Sequence, residues 1–315
     1  MLTLWLQTTI QVSGVLFLSP LISGILSQLK AKVESRRGPS IFQPYRDLRK
    51  FYLKEVTVPQ GSSLFFVASP YFVFGVYLLI SLVIPVILPF PTAFAPSVDF
   101  LGGGLLFALA GMLQVLAAID AGSNFTILGA SRSVSFSALA EPTLITVFFA
   151  VAFVSGTDNP YATENVILGS ASTYFSVPHI LSSIAFFMLL LFETGKLPLE
   201  SSGLMELGMI DDARTYEYSG KALLLLKYSS FIKQYLLGSV FLNVFVFPWG
   251  LQTGLIGSLL DIPIMLVKWL VLITVIVYIE ETFAKLRLFK VQDYLAISFA
   301  LAILSLLSFR LGGVV

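Results

Sequence analysis

Eight stretches of 16 to 28 mostly apolar residues set what this chain can fold into: Leu4–Leu29, Leu64–Ile87, Phe100–Ile119, Val134–Ser155, Val177–Phe192, Ala222–Trp249, Ile256–Ile279 and Tyr294–Leu311. A helix needs about 20 such residues to cross the hydrocarbon core of a bilayer. A membrane barrel would instead alternate apolar and polar residues with period two. These runs are continuous, so each reads as a membrane-crossing helix whose backbone satisfies its own hydrogen bonds. The first run has no cleavage-site pattern and is too long for a secretory leader, so it counts as a span. The expected fold class is an all-α membrane protein of about eight transmembrane helices, a single polytopic domain over residues 1–315.

Composition excludes the main alternatives. Hydrophobic residues make up 57% of the chain and charged residues 12%, about half the charge of a soluble domain. Nineteen Lys and Arg balance 18 Asp and Glu, which leaves no basic field for nucleic acid. With no cysteine, the chain cannot hold an iron–sulfur cluster or a cysteine-ligated zinc, and it has no cysteine nucleophile. Its single histidine, His179, sits beside Pro178 at the end of the fifth span and reads as an interfacial residue.

The basic residues orient the chain. With the N-terminus outside, the inner connections are residues 30–63, 120–133, 193–221 and 280–293. They hold 15 of the 19 Lys and Arg, and only Arg310 lies near an outer segment. Under the positive-inside rule both termini face outward and the large polar loops face the cytoplasm. The first inner loop, 30–63, is basic and contains a candidate amphipathic helix over Gln43–Lys54, with Phe42, Tyr45, Leu48, Phe51 and Tyr52 on its apolar side. The third, 193–221, is acidic.

Several ionisable residues fall within or beside the apolar runs: Asp120, Glu141, Glu193, Lys227, Lys233, Lys268 and Glu280. Each would cost roughly 2.5–3.5 kcal/mol at a helix centre, so they must be paired, hydrated or close to the interface. Asp120, Glu193, Lys227 and Glu280 lie near inner ends, where an interfacial position also accounts for them. Glu141 lies a turn or two inside its expected span. It precedes Pro142, which removes a backbone donor, and a carboxylate in such a setting is placed to exchange protons near neutral pH. Lys268 and Glu280 are about 18 Å apart along one helix, so each needs a partner on another helix. Acids and lysines spread over facing helices are the usual material of a proton relay.

Four ordered motifs resemble one known family. The string Arg37-Gly38-Pro39, followed by Gln43, Asp47, Lys50, Lys54 and Glu55, resembles the signature after the first span of the membrane subunit that joins the two arms of respiratory complex I and of group 4 membrane-bound [NiFe]-hydrogenases. Arg46 beside Asp47 is similar to the hydrogenase branch. Gly129–Pro142, with Arg132 and Glu141, resembles the family's second conserved stretch. Phe192–Gly220 resembles its acidic third loop, closing on Glu217-Tyr218-Ser219-Gly220. Lys227–Gln234, Lys268 and Glu280 fall at family-like positions. Leu199-Glu200 and Asp211-Asp212 depart from the usual Phe-Asp and His-Glu, which marks a divergent branch.

The resemblance implies a membrane subunit of a proton-translocating redox complex. It would dock a soluble hydrogenase-like arm and couple that arm's chemistry to ion movement in antiporter-like subunits. No cofactor would be bound by this chain, since [NiFe] and iron–sulfur centres would belong to soluble large and small partner subunits. The expected setting is the cytoplasmic membrane of a prokaryote, without nucleic acid. Candidates for the proton relay are Asp120, Glu141, Glu193, Glu200, Glu206, Asp211, Asp212, Glu217, Lys227, Lys233, Lys268 and Glu280. Candidates for partner docking are Arg36, Arg37, Arg46, Asp47, Arg49, Lys50 and Arg132. The hydrogenase-type branch is favoured by the spacing from Glu206 to Gly220. The alternative is a quinone-site subunit of a complex I-type NADH dehydrogenase, where the inner loops form part of a quinone cavity. A stand-alone ion-coupled transporter and a structural anchor without proton chemistry are further readings; the first lacks an inverted repeat here, and the second leaves Glu141, Lys233 and Lys268 unexplained.

Overall fold

The computed structural model describes residues 2–89, 99–198, 213–252, 254–287 and 290–312. Its elements are α1 (Leu2–Val33), α2 (Gln43–Tyr52), α3 (Leu64–Val83), α4 (Phe100–Asp120), α5 (Asn124–Ser155), α6 (Pro160–Gly169), α7 (Ala171–Tyr174), α8 (Val177–Glu193), α9 (Gly220–Val240), α10 (Leu255–Thr282) and α11 (Lys290–Gly312). A 3-10 turn at Ala213–Thr215 precedes α9, and a π-helical segment, Phe241–Val246, follows it.

Among the described residues, seven helices, α1, α3, α4, α5, α9 with its π segment, α10 and α11, are long and apolar enough to cross a membrane, where about eight are expected; α8 is apolar but has only 17 residues. At about 1.5 Å per residue, α8 spans about 26 Å, near the lower limit for a crossing. The chain is therefore an all-α, multi-pass membrane protein, as the apolar runs indicate. The boundaries shift where hydropathy and helicity part company. The fourth span begins at Asn124, not Val134, because residues 124–133 alternate apolar Phe125, Ile127 and Leu128 with polar and small residues, which breaks the apolar run without breaking the helix. Arg132, expected in a loop, consequently lies inside α5. The amphipathic helix ends at Tyr52, not Lys54.

A membrane gives helices no hydrophobic reason to associate, so hydrogen bonds and close packing hold the bundle. Along α11, Tyr294, Ser298 and Ser305 donate to the carbonyls of Met188, Ala185 and Pro178 at 3.0, 2.8 and 2.6 Å, fastening it along the length of α8. Buried Gln11 of α1 donates to the carbonyls of Ser81 and Ile84, at the end of α3, at 2.6 and 3.0 Å. Tyr228 of α9 donates to Leu16 O of α1 at 2.8 Å. In the core, Trp269 of α10 stacks on Tyr235 of α9, ring centroids 5.4 Å apart, and its indole N–H donates to Ser239 at 3.1 Å. Gly238 makes this approach possible: a Cβ there would lie 2.2 Å from the Trp269 ring.

The two large loops meet at one end of the bundle, here the loop end. The Glu217-Tyr218-Ser219-Gly220 segment does the joining. Buried Tyr218 stacks on Phe66 at 4.0 Å and donates to Phe66 O at 3.0 Å. Ser219 Oγ accepts from the Thr57 amide at 2.7 Å. Gly220 has φ +53°, and a Cβ on it would lie 2.5 Å from Glu55 O. Only glycine meets both demands.

Candidate functional site

Five membrane helices and the 3-10 turn enclose a polar cavity of about 70 Å³ toward the loop end. Tyr77 of α3, Gly111 and Gln114 of α4, Ser133, Ser137 and Glu141 of α5, Glu193 of α8, Arg214 of the turn and Lys233 of α9 line it, among apolar Phe107, Leu144, Phe192 and Leu237. Such a volume has room for a few water molecules.

Each charge reaches the cavity for a local reason. Gly111 leaves space on α4 opposite Glu141; a Cβ there would come within 3.9 Å of Glu141 Oε1. Pro142 lies inside α5 and withdraws one amide from its ladder. The helix continues through the proline, and Thr143 and Thr146 donate to the carbonyls of Leu139 and Pro142, both at 2.7 Å. Glu193 ends α8, and Lys233 of α9 donates to its Oε2 in an ion pair whose side chains are 20% and 25% exposed. Gly195, with φ +66°, then turns the chain back over the cavity. Arg214 Nη1 donates to Ser133 Oγ at 3.1 Å, tying the turn to α5.

The site therefore brings together Glu141, Glu193 and Lys233 from the expected relay. It adds Arg214, Gln114 and Ser133, which no sequence pattern singles out, because loop arginines and isolated polar residues in apolar helices have no periodic signature. Two carboxylates and two cations share one small low-dielectric space. That arrangement can hold an excess proton and move it by rearranging one ion pair.

Other candidates lie elsewhere. Asp120 Oδ2 accepts from Ser63 N, Ser63 Oγ and Phe66 N at 3.0, 2.7 and 3.1 Å, so it caps the start of α3 rather than entering the cavity. Glu280 pairs with Lys30 of α1 at 2.5 Å, and Glu281 lies 3.3 Å from the same ammonium. This supplies the interhelical partner that Glu280 requires. Lys268 donates to Asn243 Oδ1 at 3.1 Å and Phe247 O at 2.6 Å, at the other end of the bundle. Lys227 and Glu217 are half-buried near the loop end. Glu200, Glu206, Asp211 and Asp212 lie outside the described residues. His179, in the first turn of α8, is buried inside the bundle. It is 2% exposed, and its Nε2 bonds Phe245 O at 3.1 Å, because the π segment presents that carbonyl to α8.

Of the docking candidates, Arg36, Arg37, Arg46, Arg49 and Lys50 are exposed at the loop end. Asp47 accepts from Gln43 at 2.9 Å within α2, and Arg132 is half-buried in α5. The opposite face of α2 is seated: Pro44 is buried and Tyr45 donates to Phe17 O of α1. Burial raises the Tyr45 hydroxyl above its usual range and pushes that of Tyr218 up to about 12, so both remain donors across physiological pH. Tyr52, expected on the apolar side, is exposed beneath Lys221, whose Nζ is 5.3 Å from its ring centroid.

Residues 6–310 match a family model described as NADH dehydrogenase. The chain belongs to the NADH dehydrogenase family. Within this family it is 32% identical over 289 residues to formate hydrogenlyase subunit 4 of Escherichia coli strain K12, covering 90% of this chain and 91% of that one. It is 28% identical over 298 residues to hydrogenase-4 component C of the same organism, covering 92% and 91%. The fold resembles a chain of an archaeal respiratory membrane complex, the membrane-bound sulfane sulfur reductase. The TM-score is 0.81 at 21% identity, over 97% of this chain and 99% of that one.

Proposed function

We propose that this member of the NADH dehydrogenase family is a membrane subunit of a proton-translocating redox complex of the hydrogenase type. It docks a soluble redox arm on the exposed basic face of α2 and the preceding loop, and hands the arm's free energy to the bundle through the polar cavity. The observation that carries the reading is the convergence of Glu141, Glu193, Lys233 and Arg214 on one cavity beneath the joined loops. The full-length similarity to subunits of formate hydrogenlyase and hydrogenase-4 supports the choice of branch. Soluble large and small hydrogenase-like subunits and antiporter-like membrane subunits are the partners in this reading. The [NiFe] and iron–sulfur centres reside in the soluble ones, and the loops face the cytoplasm of a prokaryote.

The chemistry assigned to this chain is proton handling. Protonation of Glu193 would release Lys233, and the freed ammonium would change the field at Glu141 across the cavity. A rearrangement of the acidic loop, driven by the docked arm, would bias which carboxylate holds the proton. The decisive experiment purifies the assembled complex with Glu141→Gln, which keeps shape and hydrogen bonding but cannot titrate. Redox turnover with an artificial acceptor stays near wild type, while proton uptake into proteoliposomes falls by about tenfold or more. Unchanged proton uptake would overturn the relay.

A further inference from the structure

The other end of the bundle holds a second group of buried charges that the cavity does not use. Glu164 belongs to α6, a short helix in the connection between α5 and α8, yet it is 2% exposed; Asp261 of α10 is fully buried and Lys268 is 8% exposed. The polar frame around them comes from the end of α9. Its π segment and the break before Pro248 turn carbonyls away from helical hydrogen bonding. Lys268 takes that of Phe247, and Asn243 donates to Pro85 O and Val86 O at 3.4 and 3.2 Å while accepting from Lys268. Asp261 Oδ1 accepts from the Gln252 amide at 2.8 Å.

Two atoms are left over. Glu164 Oε2 and Asp261 Oδ2 are buried carboxylate oxygens without a hydrogen-bond partner. The three side chains feel one another electrostatically. Burial pushes the Glu164 carboxyl up to about 8, with Lys268 pulling it down and Asp261 pushing it further up. Two carboxylates facing one ammonium would carry a net negative charge in a low-dielectric interior, and a buried uncompensated charge is very costly. One additional positive charge would remove it. His179 of α8 is engaged through Nε2 with Phe245 O, and its Nδ1 is buried without a hydrogen-bond partner, so a second proton on the ring would have nothing to bond. Tyr161 lies on α6 itself, and Asp158 is exposed before it.

We propose that Glu164, Asp261 and Lys268 form a second proton-binding site, at the end of the bundle away from the loops, in which one exchangeable proton is held on Glu164 under the opposing charges of Asp261 and Lys268. Phe186 of α8 packs on Phe241 and Phe245 of the π segment, in the stretch of these helices between Glu193 and Lys233 at the cavity and His179 and Phe247 at the other end; Phe186 and Phe245 stack at 4.9 Å. The site stands independently of the role given to that cavity. It would serve as the point where a proton is received or released at that surface.

The test is infrared titration of the purified full chain in lipid from about pH 6 to pH 10, following the carboxylic-acid carbonyl band. A band with a midpoint near pH 8 is expected. It is lost in Glu164→Gln and kept in Glu141→Gln. Asp261→Asn, which removes the like charge, lowers the midpoint by about one pH unit; Lys268→Met, which removes the ammonium, raises it by a similar amount. These two shifts decide the matter even where Glu164→Gln fails to fold. A band with a midpoint near pH 8 that survives in the Glu141→Gln, Glu164→Gln double variant, or a midpoint indifferent to Asp261→Asn and Lys268→Met, overturns the proposal. So does a midpoint that falls as sodium replaces potassium, because the occupant would then be a sodium ion.

Discussion

Glu141 lies about 25 Å along α5 from its start, opposite Gly111 near the middle of α4. Its surroundings, not its own chemistry, decide its role. Glu193 and Lys233 give the clearest residue-scale prediction, because they are the ion pair that lines the cavity. Removing either partner strands a charge in a half-buried position, whereas removing both leaves none. A double-mutant cycle of Glu193→Gln and Lys233→Met, read on thermal inactivation of the purified protein, is expected to show a coupling of roughly 0.5–3 kcal/mol. Additive effects would mean that the pair does not form. Asp120 is the counter-example at this scale. An acid at the end of an apolar run resembles a relay residue in sequence, and its three accepted hydrogen bonds make it a helix cap.

At the scale of elements, the joint between the first loop and the start of α9 is the most exacting contact. Gly220 combines a positive φ with the close approach of the Lys54 and Glu55 carbonyls. An alanine would meet left-handed strain of about 1–2 kcal/mol in addition to a clash with backbone that has no rotamer to yield. Gly220→Ala is therefore expected to lower the melting temperature and to loosen the first loop, measured as faster proteolysis between α2 and α3. Gly24 makes a comparable seat on α1, where a Cβ would lie 1.9 Å from Ile41 O. Gly24→Ala should displace the segment leading into α2 and weaken docking without touching the cavity. A variant with normal proteolysis and normal docking would show that these approaches are dispensable.

For the whole molecule, charge and its placement separate two ends with different work. Arg36, Arg37, Arg46, Arg49 and Lys50 form an exposed basic face beside the joined loops, suited to an acidic partner surface. Reversing Arg46 and Arg49 to Glu is expected to release the soluble arm at moderate salt, visible as loss of co-purifying subunits, while the membrane chain stays folded. Retention of the arm after reversal would move the docking surface elsewhere. Wild-type assembly should also weaken as salt is raised, since exposed charges are screened over about 8–10 Å.

The apolar runs alone determined an all-helical membrane bundle, because about 20 uninterrupted apolar residues have no other stable state in lipid. The basic first loop and the motifs at Arg37–Glu55 and Glu217–Gly220 were legible for the same reason: they are local strings. Glu141, Glu193 and Lys233 could be suspected one at a time, since each is an isolated charge within or beside an apolar run. Which of them meet could not be read. Lys233 joins Glu193 across helices 40 residues apart in the chain, while Lys268, on the same reasoning, goes to Asn243 and Phe247 instead. Nor did the sequence mark Glu164, a lone acid in a short connecting segment, or the π segment that frees the carbonyls around it. Composition and periodicity report what each stretch of chain requires of its solvent. The partner of a buried charge is set by helix rotation and crossing, which only the packed bundle decides.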